Sequence, residues 1–393
     1  MTDHSTQAAQ AIQAAASRSP YPPSAVLTLA SISAQATRRD DLDGDNWPVT
    51  WAGDDCLYAA YGDGWGCRPI APDTKYNTGL VRLTGTADAF RGEEVSMPWF
   101  GRGAENPNFK GCGLLAAGGV LYHFLRYQSS IDPATGRRQQ MASKLIWTTD
   151  RGRTWQNADP YVPDVRMMRL FFNEPDHAFH SPTFLQAGRD YSQAQDGYVY
   201  LYSPREDRRR ANDHLDLARV PREHVADRAA YEFFAGLEDE GSGRGHRPRW
   251  TRDVAARHPV FAFRGHVNCG DVVYLAPLDR YLLATCAGDF APGEAGGTPS
   301  RLAFFDAPHP WGPWTAAGYV APWGSGRAGD LRYDPRLPAK WISGAGGPDE
   351  GSLTCALIYS DRIPSDKLNL QQVRFTWRKR PGRKQGGAYG SSI

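Results

Sequence analysis

Two aspartates flanked by tryptophans are the first residues of this chain whose types and spacing could do chemistry. They lie in the stretch Asp45–Gly66, which reads DNWPVTWAGDDCLYAAYGDGWG. Two short apolar runs flank the turn residues GDD, and an antiparallel pair brings the beginning of its first strand beside the end of its second. The hairpin therefore places Asp45 and Asp63 at one end. Trp47 and Trp65 lie next to them, and two carboxylates among aromatic rings suit glycoside hydrolysis, with one acid and one base or nucleophile.

Four more strand–turn–strand patterns follow, at intervals of roughly 70 residues, which is longer than the commonest propeller repeats. These later hairpins are Lys110–Tyr127, His180–Ser203, His266–Cys286 and Lys340–Ser360. Single strands are predicted between them at Thr78–Thr84, Lys144–Thr148, Leu215–Val220 and Arg301–Asp306. Each hairpin thus has material for a third and a fourth strand. The pattern predicts an all-β fold, a five-bladed β-propeller with four-stranded antiparallel blades.

The two ends of the predicted propeller are expected to meet in its last blade. The strand Ala25–Ile32 can pair there beside Leu368–Trp377, which leaves few exposed strand edges. A short helix at Pro221–Gly236 is predicted to pack outside the blades. We expect residues 1–20 to form a flexible leader, residues 21–377 the propeller, and residues 378–393 a basic flexible tail.

The position of each residue within its hairpin selects further candidates, because the beginning of strand one and the end of strand two face the same channel mouth in every blade. Asp213 precedes a third strand, and Asp271 lies on an innermost strand of the fourth hairpin; both are candidate catalytic carboxylates. A turn role is the alternative for Asp45 and for Asp63, which lies in Gly-Asp-Gly. The predicted substrate-binding residues are Asp63, Trp47, Trp65, Lys110, Arg126, His180, His214 and Asn268.

Composition narrows the function classes. The chain has 393 residues, and its 45 basic and 43 acidic side chains give a net charge of +2, which argues against a nucleic-acid binder. The sequence contains no apolar run of about 18 residues, so no membrane span is predicted. The first residues lack the basic start and leucine-rich core of a secretory signal, which predicts a cytoplasmic location, with non-classical export as the alternative. We expect a monomer that binds a polysaccharide or oligosaccharide. Six scattered cysteines without a CxxC motif predict buried thiols in a reducing compartment.

The segment Thr148–Trp155, TTDRGRTW, matches the Asp-box of sialidases and other propellers. Asp150 can accept hydrogen bonds from the turn amides, Gly152 supplies an unusual φ, and Trp155 packs beneath. The motif is typical of a propeller hairpin and says nothing about chemistry. A sialidase is the weakest interpretation, because there is a single Asp-box and no identifiable arginine triad.

The hairpin of Asp45–Gly66 followed by GLVRLTGTADAFRG resembles the family called domain of unknown function 4185 (DUF4185). Further motifs in the same order are SPTFLQAGRDYSQAQDGYVYLY, DLARVPREHVADRAAYEFFAG, RYLLATC, FDAPHPWGPW and DPRLPAKWIS, so the resemblance covers about Tyr21–Trp377. It implies a five-bladed propeller related to furanosidase-type glycoside hydrolases, and some members of the family hydrolyse D-arabinan as glycoside hydrolase family 183. It implies a catalytic carboxylate at Asp45 and supports Asp63 less strongly. The segment HVNCGDVVY around Asp271 departs from the basic-plus-serine pattern of many relatives.

The leading hypothesis is a glycoside hydrolase that cleaves furanosidic, D-arabinan-like polysaccharide linkages. Asp45 would be the base or nucleophile, and Asp213 or Asp271 the acid. The alternative is a non-catalytic carbohydrate-binding propeller whose aromatic rings stack on sugars. No cofactor is expected, although a structural cation in the channel is compatible with the sequence.

Overall fold

Strands and short 3-10 turns make up the regular structure in the described part of this chain. The computed structural model describes residues 19–70, 75–95, 108–128, 139–157, 170–206, 212–239, 246–268, 270–288, 299–325, 330–361 and 366–379. The predicted leader and tail therefore lie almost wholly outside the described residues, as does Cys269. None of the helical segments described has the length and hydropathy needed to cross a bilayer. The five cysteines in the described ranges are free thiols.

Blades 1, 2 and 4 each contain four antiparallel strands, as the sequence predicts. The second strand of blade 1, LYAAYGDGWG, is buried along most of its length, because neighbouring blades cover both of its faces. The strands are, in blade 1, β3 (Val49–Trp51), β4 (Leu57–Gly66), β5 (Gly79–Thr86) and β6 (Ala89–Val95); in blade 2, β7 (Asn108–Ala117), β8 (Val120–Gln128), β9 (Gln140–Thr148) and β10 (Gln156–Asn157); in blade 4, β17 (Asp271–Leu275), β18 (Arg280–Ala287), β19 (Arg301–Ala307) and β20 (Thr315–Val320).

Blade 3 has six strands rather than the four predicted. Its third strand pairs along one edge with two later strands, each over part of its length. The strands are β11 (Thr183–Phe184), β12 (Tyr198–Pro204), β13 (Asn212–Pro221), β14 (Glu232–Asp239), β15 (His246–Thr251) and β16 (Pro259–Val267).

The helix predicted at Pro221–Gly236 is wrong. The segment forms 3-10 turns at Arg222–His224 and Arg228–Ala230, and the chain then enters β14. Phe233 and Phe234 are buried in the core of the blade, so strand pairing with β13 and aromatic packing override the helical composition of the segment.

Blade 5 contains strands from both ends of the chain, and this confirms the predicted closure. β1 (Leu27–Ile32) pairs antiparallel with the last strand, and a further strand, β2 (Thr37–Asp45), joins that strand to blade 1. The remaining strands of blade 5 are β21 (Arg332–Arg336), β22 (Ile342–Gly346), β23 (Glu350–Asp361) and β24 (Lys367–Arg378), with β21 and β22 both paired to β23. Blade 5, β2 and blade 1 thus form one continuous sheet of ten strands.

A ring of hydrogen bonds links the innermost part of each blade to the next. Each bond joins a residue on or next to the first strand of one blade to a residue of the adjacent blade. In order around the ring they run from Ala116 N to Thr50 Oγ1 (2.8 Å), Gln186 Nε2 to Leu114 O (2.9 Å), Thr183 Oγ1 to Gly270 O (2.7 Å), Leu337 N to Asp271 Oδ2 (2.6 Å) and Arg336 Nε to Asn46 O (3.1 Å).

The Asp-box forms a closed hydrogen-bonded turn at the edge of blade 2. The Asp150 carboxylate accepts from Thr148 Oγ1 (2.7 Å) and from Thr154 N (2.9 Å) and Oγ1 (2.6 Å). These bonds, the Thr154 hydroxyl first, lower the pKa of Asp150 to about 2. Gly152 has a φ of 88° and lies against Val95 of blade 1, so the turn also contacts the neighbouring blade.

We expect Asp150→Ala to lower the free energy of unfolding by at most about 1 kcal/mol, because the carboxylate is exposed to solvent and only the turn bonds are lost. Chemical denaturation of the variant and the parent measures this difference. Any catalytic activity should stay near the parent value. A large loss of turnover at unchanged stability would contradict the structural interpretation of the Asp-box.

Candidate active site

The strand register brings Asp45 and Asp63 together, as the hairpin argument predicts. Asp45, the last residue of β2, pairs with Gly62 of β4, the residue directly before Asp63. Between Asp43 and Asp45 the register shifts, so β4 bulges at this point. A Cβ at position 62 would lie 2.8 Å from Asp45 Oδ1. Glycine at this position therefore leaves the space that the Asp45 carboxylate occupies.

Asp63 stands at the bulge with a left-handed φ of 45°, and its side chain is 42% exposed. Asp45 is only 8% exposed. The Lys110 ammonium forms an ion pair with Asp63 and also donates to Asn77 Oδ1 (3.2 Å). Asn77 O lies 3.2 Å from the same Cβ position at Gly62. The two aspartates thus lie on adjoining strands at the bulge but differ in burial and in their partners.

Two left-handed residues follow Asp45 and turn the chain into β3. Asn46 has a φ of 72° and Trp47 a φ of 46°. Trp47 is fully buried, and its indole N–H donates to Gly44 O (3.0 Å). The prediction that Trp47 stacks on a sugar is therefore wrong, because the ring packs in the core, 5.7 Å from Tyr61. Trp65, the other predicted aromatic contact, is only partly buried.

Cationic and neutral groups from blades 2 and 3 surround this corner. Arg126 Nη2 donates to Asn46 Oδ1 (3.3 Å). His180 is buried, with its Nδ1 2.8 Å from Ser181 Oγ. Burial, and then the charge of Arg126, lowers the pKa of His180 to about 4, so this imidazole is neutral at neutral pH. Arg126 therefore reaches the residue that follows Asp45, and His180 is a neutral ring close enough to Arg126 to feel its charge.

Asp271 takes part in the ring of hydrogen bonds between blades. Its Oδ2 accepts from Leu337 N, and its Oδ1 lies 3.8 Å from Arg336 Nη1. Burial raises the pKa of Asp271 to about 6, against the opposing effects of Arg336 and the Leu337 amide. Both oxygens thus face blade 5, and the carboxylate joins two blades.

The other predicted site residues make contacts within blade 3 or between blades 4 and 5. The Asp213 carboxylate accepts from Gly265 N (2.7 Å), which joins β13 to β16. His214 Nδ1 forms a hydrogen bond with the Glu206 carboxylate. Asn268 is buried, and its amide donates to Asp334 Oδ1 (2.7 Å).

Two residues at this site were missed by sequence reasoning. Asn46 carried one usable signal, since asparagine tolerates a left-handed φ better than most residues and here follows the candidate carboxylate. Arg336 in DPRLP carried none, because its partner Asn46 is 290 residues away. Within the described ranges, no group of three or more His, Cys, Asp or Glu residues could hold a metal ion.

The sequence model of the family described as domain of unknown function (DUF4185) matches residues 113–350, which is more than half of the chain. This segment begins after the first blade, so it includes neither Asp45 nor Asp63. It is also shorter than the span of motifs that resembles the family. No curated protein matches the chain significantly.

Several solved structures of glycoside hydrolases resemble this chain at low identity. A GH43_1 enzyme from Xanthomonas citri is 14% identical with a TM-score of 0.44, over 86% of this chain and 90% of that one. A glycosyl hydrolase from Bacteroides ovatus is 10% identical (TM-score 0.41; 90% and 93% covered). A GH43 endo-arabinanase from Bacillus licheniformis is 13% identical (TM-score 0.38; 85% and 96% covered). Similarity at this level assigns no reaction to this chain.

We expect Asp271→Asn to remove a pH dependence of stability between about pH 4 and pH 6. The pKa of Asp271 is raised in the folded state, so the folded protein binds more protons than the unfolded chain in this window and loses stability as the pH rises. The full penalty, of order 3 kcal/mol for two pKa units, is present above about pH 6. Asparagine cannot ionise and still accepts from Leu337 N.

Melting curves of parent and Asp271→Asn from pH 4 to pH 8 measure this effect. The stability of the variant relative to the parent should rise up to about pH 6 and then level off. A difference that stays constant with pH would contradict the role given to Asp271. Loss of turnover in this variant with intact folding would instead support the sequence-based prediction that Asp271 is the acid.

Proposed function

We propose that this chain, which belongs to the DUF4185 family, is a glycoside hydrolase that cleaves furanosidic linkages in a D-arabinan-like polysaccharide. The observation that carries the proposal is the pair of aspartates that the bulge between β2 and β4 brings to adjoining strands, and we propose that they lie at the mouth of the channel. Asp45 and Asp63 come from adjoining strands around Gly62, one buried and one accessible. Glycoside hydrolysis requires two carboxyl groups in different environments, because one must give a proton while the other is ionised.

The contacts of the two carboxylates support different roles. Asn46 Nδ2 donates to Asp45 Oδ1 (2.9 Å), and such a bond favours the ionised form that a base or nucleophile needs. Asp63 is the other carboxylate at the β4 bulge, which makes it the proposed acid; its ion pair with Lys110 favours the ionised form and so opposes that role, and substrate binding would have to weaken this pair before Asp63 holds a proton. Lys110 keeps Asn77 as an acceptor when Asp63 carries a proton. Asp63 therefore replaces Asp213 and Asp271 as the proposed acid.

The sugar is inferred from the family resemblance and not from the site. The accessible part of Trp65 can pack against a sugar face, and Lys110, Arg126 and His180 are proposed to contact hydroxyl groups. The rival proposal is a carbohydrate-binding propeller without activity. Burial of Trp47 weakens that rival, because it removes one of the two aromatic faces next to the carboxylates.

We expect Asp45→Asn and Asp63→Asn each to lower turnover at least about a hundredfold, since the charge and proton affinity are lost while size is kept. The assay is release of reducing ends from a panel that includes D-arabinan and L-arabinan. Asp40→Asn is the matched control, because Asp40 lies on the same strand as Asp45 but its side chain is 84% exposed. If the parent binds a glycan of the panel without cleaving it, and Asp45→Asn leaves the affinity unchanged, the binding proposal replaces the hydrolase.

We expect Lys110→Met to move the basic limb of the pH profile of kcat/KM to higher pH. The ammonium favours the ionised form of Asp63, so its removal lets the acid hold its proton to higher pH. The matched control is Lys340→Met, which removes a lysine paired with Asp55 at the opposite end of β4. Movement of the acidic limb instead would show that Asp63 is the base and that the two roles are reversed.

A further inference from the structure

All four polar groups of Asn46, the residue after the proposed base, have a partner. Its backbone N–H donates to Ser360 Oγ (3.1 Å), and its carbonyl accepts from Arg336 Nε (3.1 Å). Its side-chain Nδ2 donates to Asp45 Oδ1 (2.9 Å), and its Oδ1 accepts from Arg126 Nη2 (3.3 Å). The residue is 2% exposed. Asn46 therefore connects the last blade and the second blade to a single carboxylate.

The side-chain amide of Asn46 can face only one way. A guanidinium has donors and no acceptor, so the amide oxygen must point toward Arg126. The amide N–H groups then point toward Asp45, which as a carboxylate only accepts. A flipped amide would point its N–H groups at the N–H groups of Arg126, and its oxygen at the carboxylate oxygen of Asp45. The arrangement thus fixes one oxygen of the Asp45 carboxylate.

The backbone at Asn46 is also fixed. Its left-handed φ of 72° is followed by the left-handed Trp47 (φ 46°), and neither residue is glycine. Such conformations persist where several contacts hold them, and they concentrate at functional sites. Here Arg336 and Ser360 hold the Asn46 peptide, and a further bond runs from Trp47 N to Asp45 O (3.0 Å).

We propose that Asn46 is a positioning residue that orients the Asp45 carboxylate toward the substrate, and that Arg126 sets the direction of the Asn46 amide. The inference rests on the proposed function of Asp45. A fixed donor at one carboxylate oxygen sets the orientation of the whole group, and small errors in this orientation reduce rates steeply. Charged groups on the strands that meet here include Arg126, Arg336, Asp63 and Lys110, together with the buried ion pair of Asp43 and Lys367.

Two variants of Asn46 separate this role from a structural one. Asn46→Gly keeps the left-handed backbone without strain and removes only the side chain. Its kcat/KM should fall at least about tenfold, mainly in kcat, with KM changed less than about threefold. Asn46→Asp keeps the contact to Arg126 but replaces the donor to Asp45 with a second carboxylate. The acidic limb of its pH profile should therefore move to higher pH than that of either the parent or Asn46→Gly.

The matched control is Asp279→Gly. Asp279 is another left-handed residue (φ 50°) whose side chain accepts a hydrogen bond, from Tyr274 Oη (2.8 Å), but it lies in the hairpin turn of blade 4. This variant should keep the kcat/KM and the pH profile of the parent. Comparison of melting temperatures then separates loss of activity from loss of folded protein.

Parent-like kcat/KM and pH profiles in both Asn46 variants would overturn the proposal. So would activity that falls only in step with the folded fraction while the pH profile stays unchanged. If the parent cleaves no glycan, the proposed function fails, and a titration still tests the orientation. Protein labelled with ¹³C at the aspartate carboxyls, with Asp45→Asn to identify the signal, reports the titration midpoint of Asp45. A midpoint raised in Asn46→Asp supports the proposal, and an unchanged midpoint overturns it.

Discussion

The channel of this propeller depends on the hydrogen bonds that join each innermost strand to the next blade. Apolar packing between blades brings them together, but it is not directional and does not fix how one strand slides along another. The five bonds of the ring supply that direction, and the last of them, from Arg336 to Asn46, joins the end of the chain to its beginning. Pairing of β1 with β24 closes the sheet, whereas the Arg336 bond fixes the wall of the channel.

The closing bond of the ring falls on the most strained part of the site. A left-handed conformation costs roughly 1–2 kcal/mol in a residue other than glycine, and Asn46 and Trp47 adopt it in succession. Arg336, only 1% exposed, and Ser360 hold this corner from blade 5. The position of Asp45 near the beginning of the chain thus depends on Arg336 and Ser360, which lie 290 and 314 positions after Asn46.

Local patterns predicted much of the fold and the carboxylate pair, and non-local contacts account for the rest. The β3–β4 hairpin is local, so its turn residues GDD and its apolar strands were enough to predict that Asp45 lies near Asp63. The strand Thr37–Asp45 was not foreseen, because its sequence TRRDDLDGD is charged and it forms only where β24 and β4 both offer an edge. The helix prediction for Pro221–Gly236 was wrong because the composition of the segment favours a helix, whereas pairing with β13 makes its last part a strand.

Asp45 and Asp271 show why residue type and strand position do not separate chemistry from structure. Both are buried aspartates beside an innermost strand, and both were predicted to be catalytic. Asp271 accepts a backbone N–H from blade 5 and faces Arg336, so its oxygens serve the ring, and burial raises its pKa. Asp45 accepts a hydrogen bond from the side chain of Asn46, and the Arg336 bond of the ring is made to the backbone carbonyl of that asparagine. The ring of hydrogen bonds therefore holds Asp271 directly and holds Asp45 only through Asn46. Of these two aspartates, Asp45 is the one that lies near an accessible second carboxylate, Asp63.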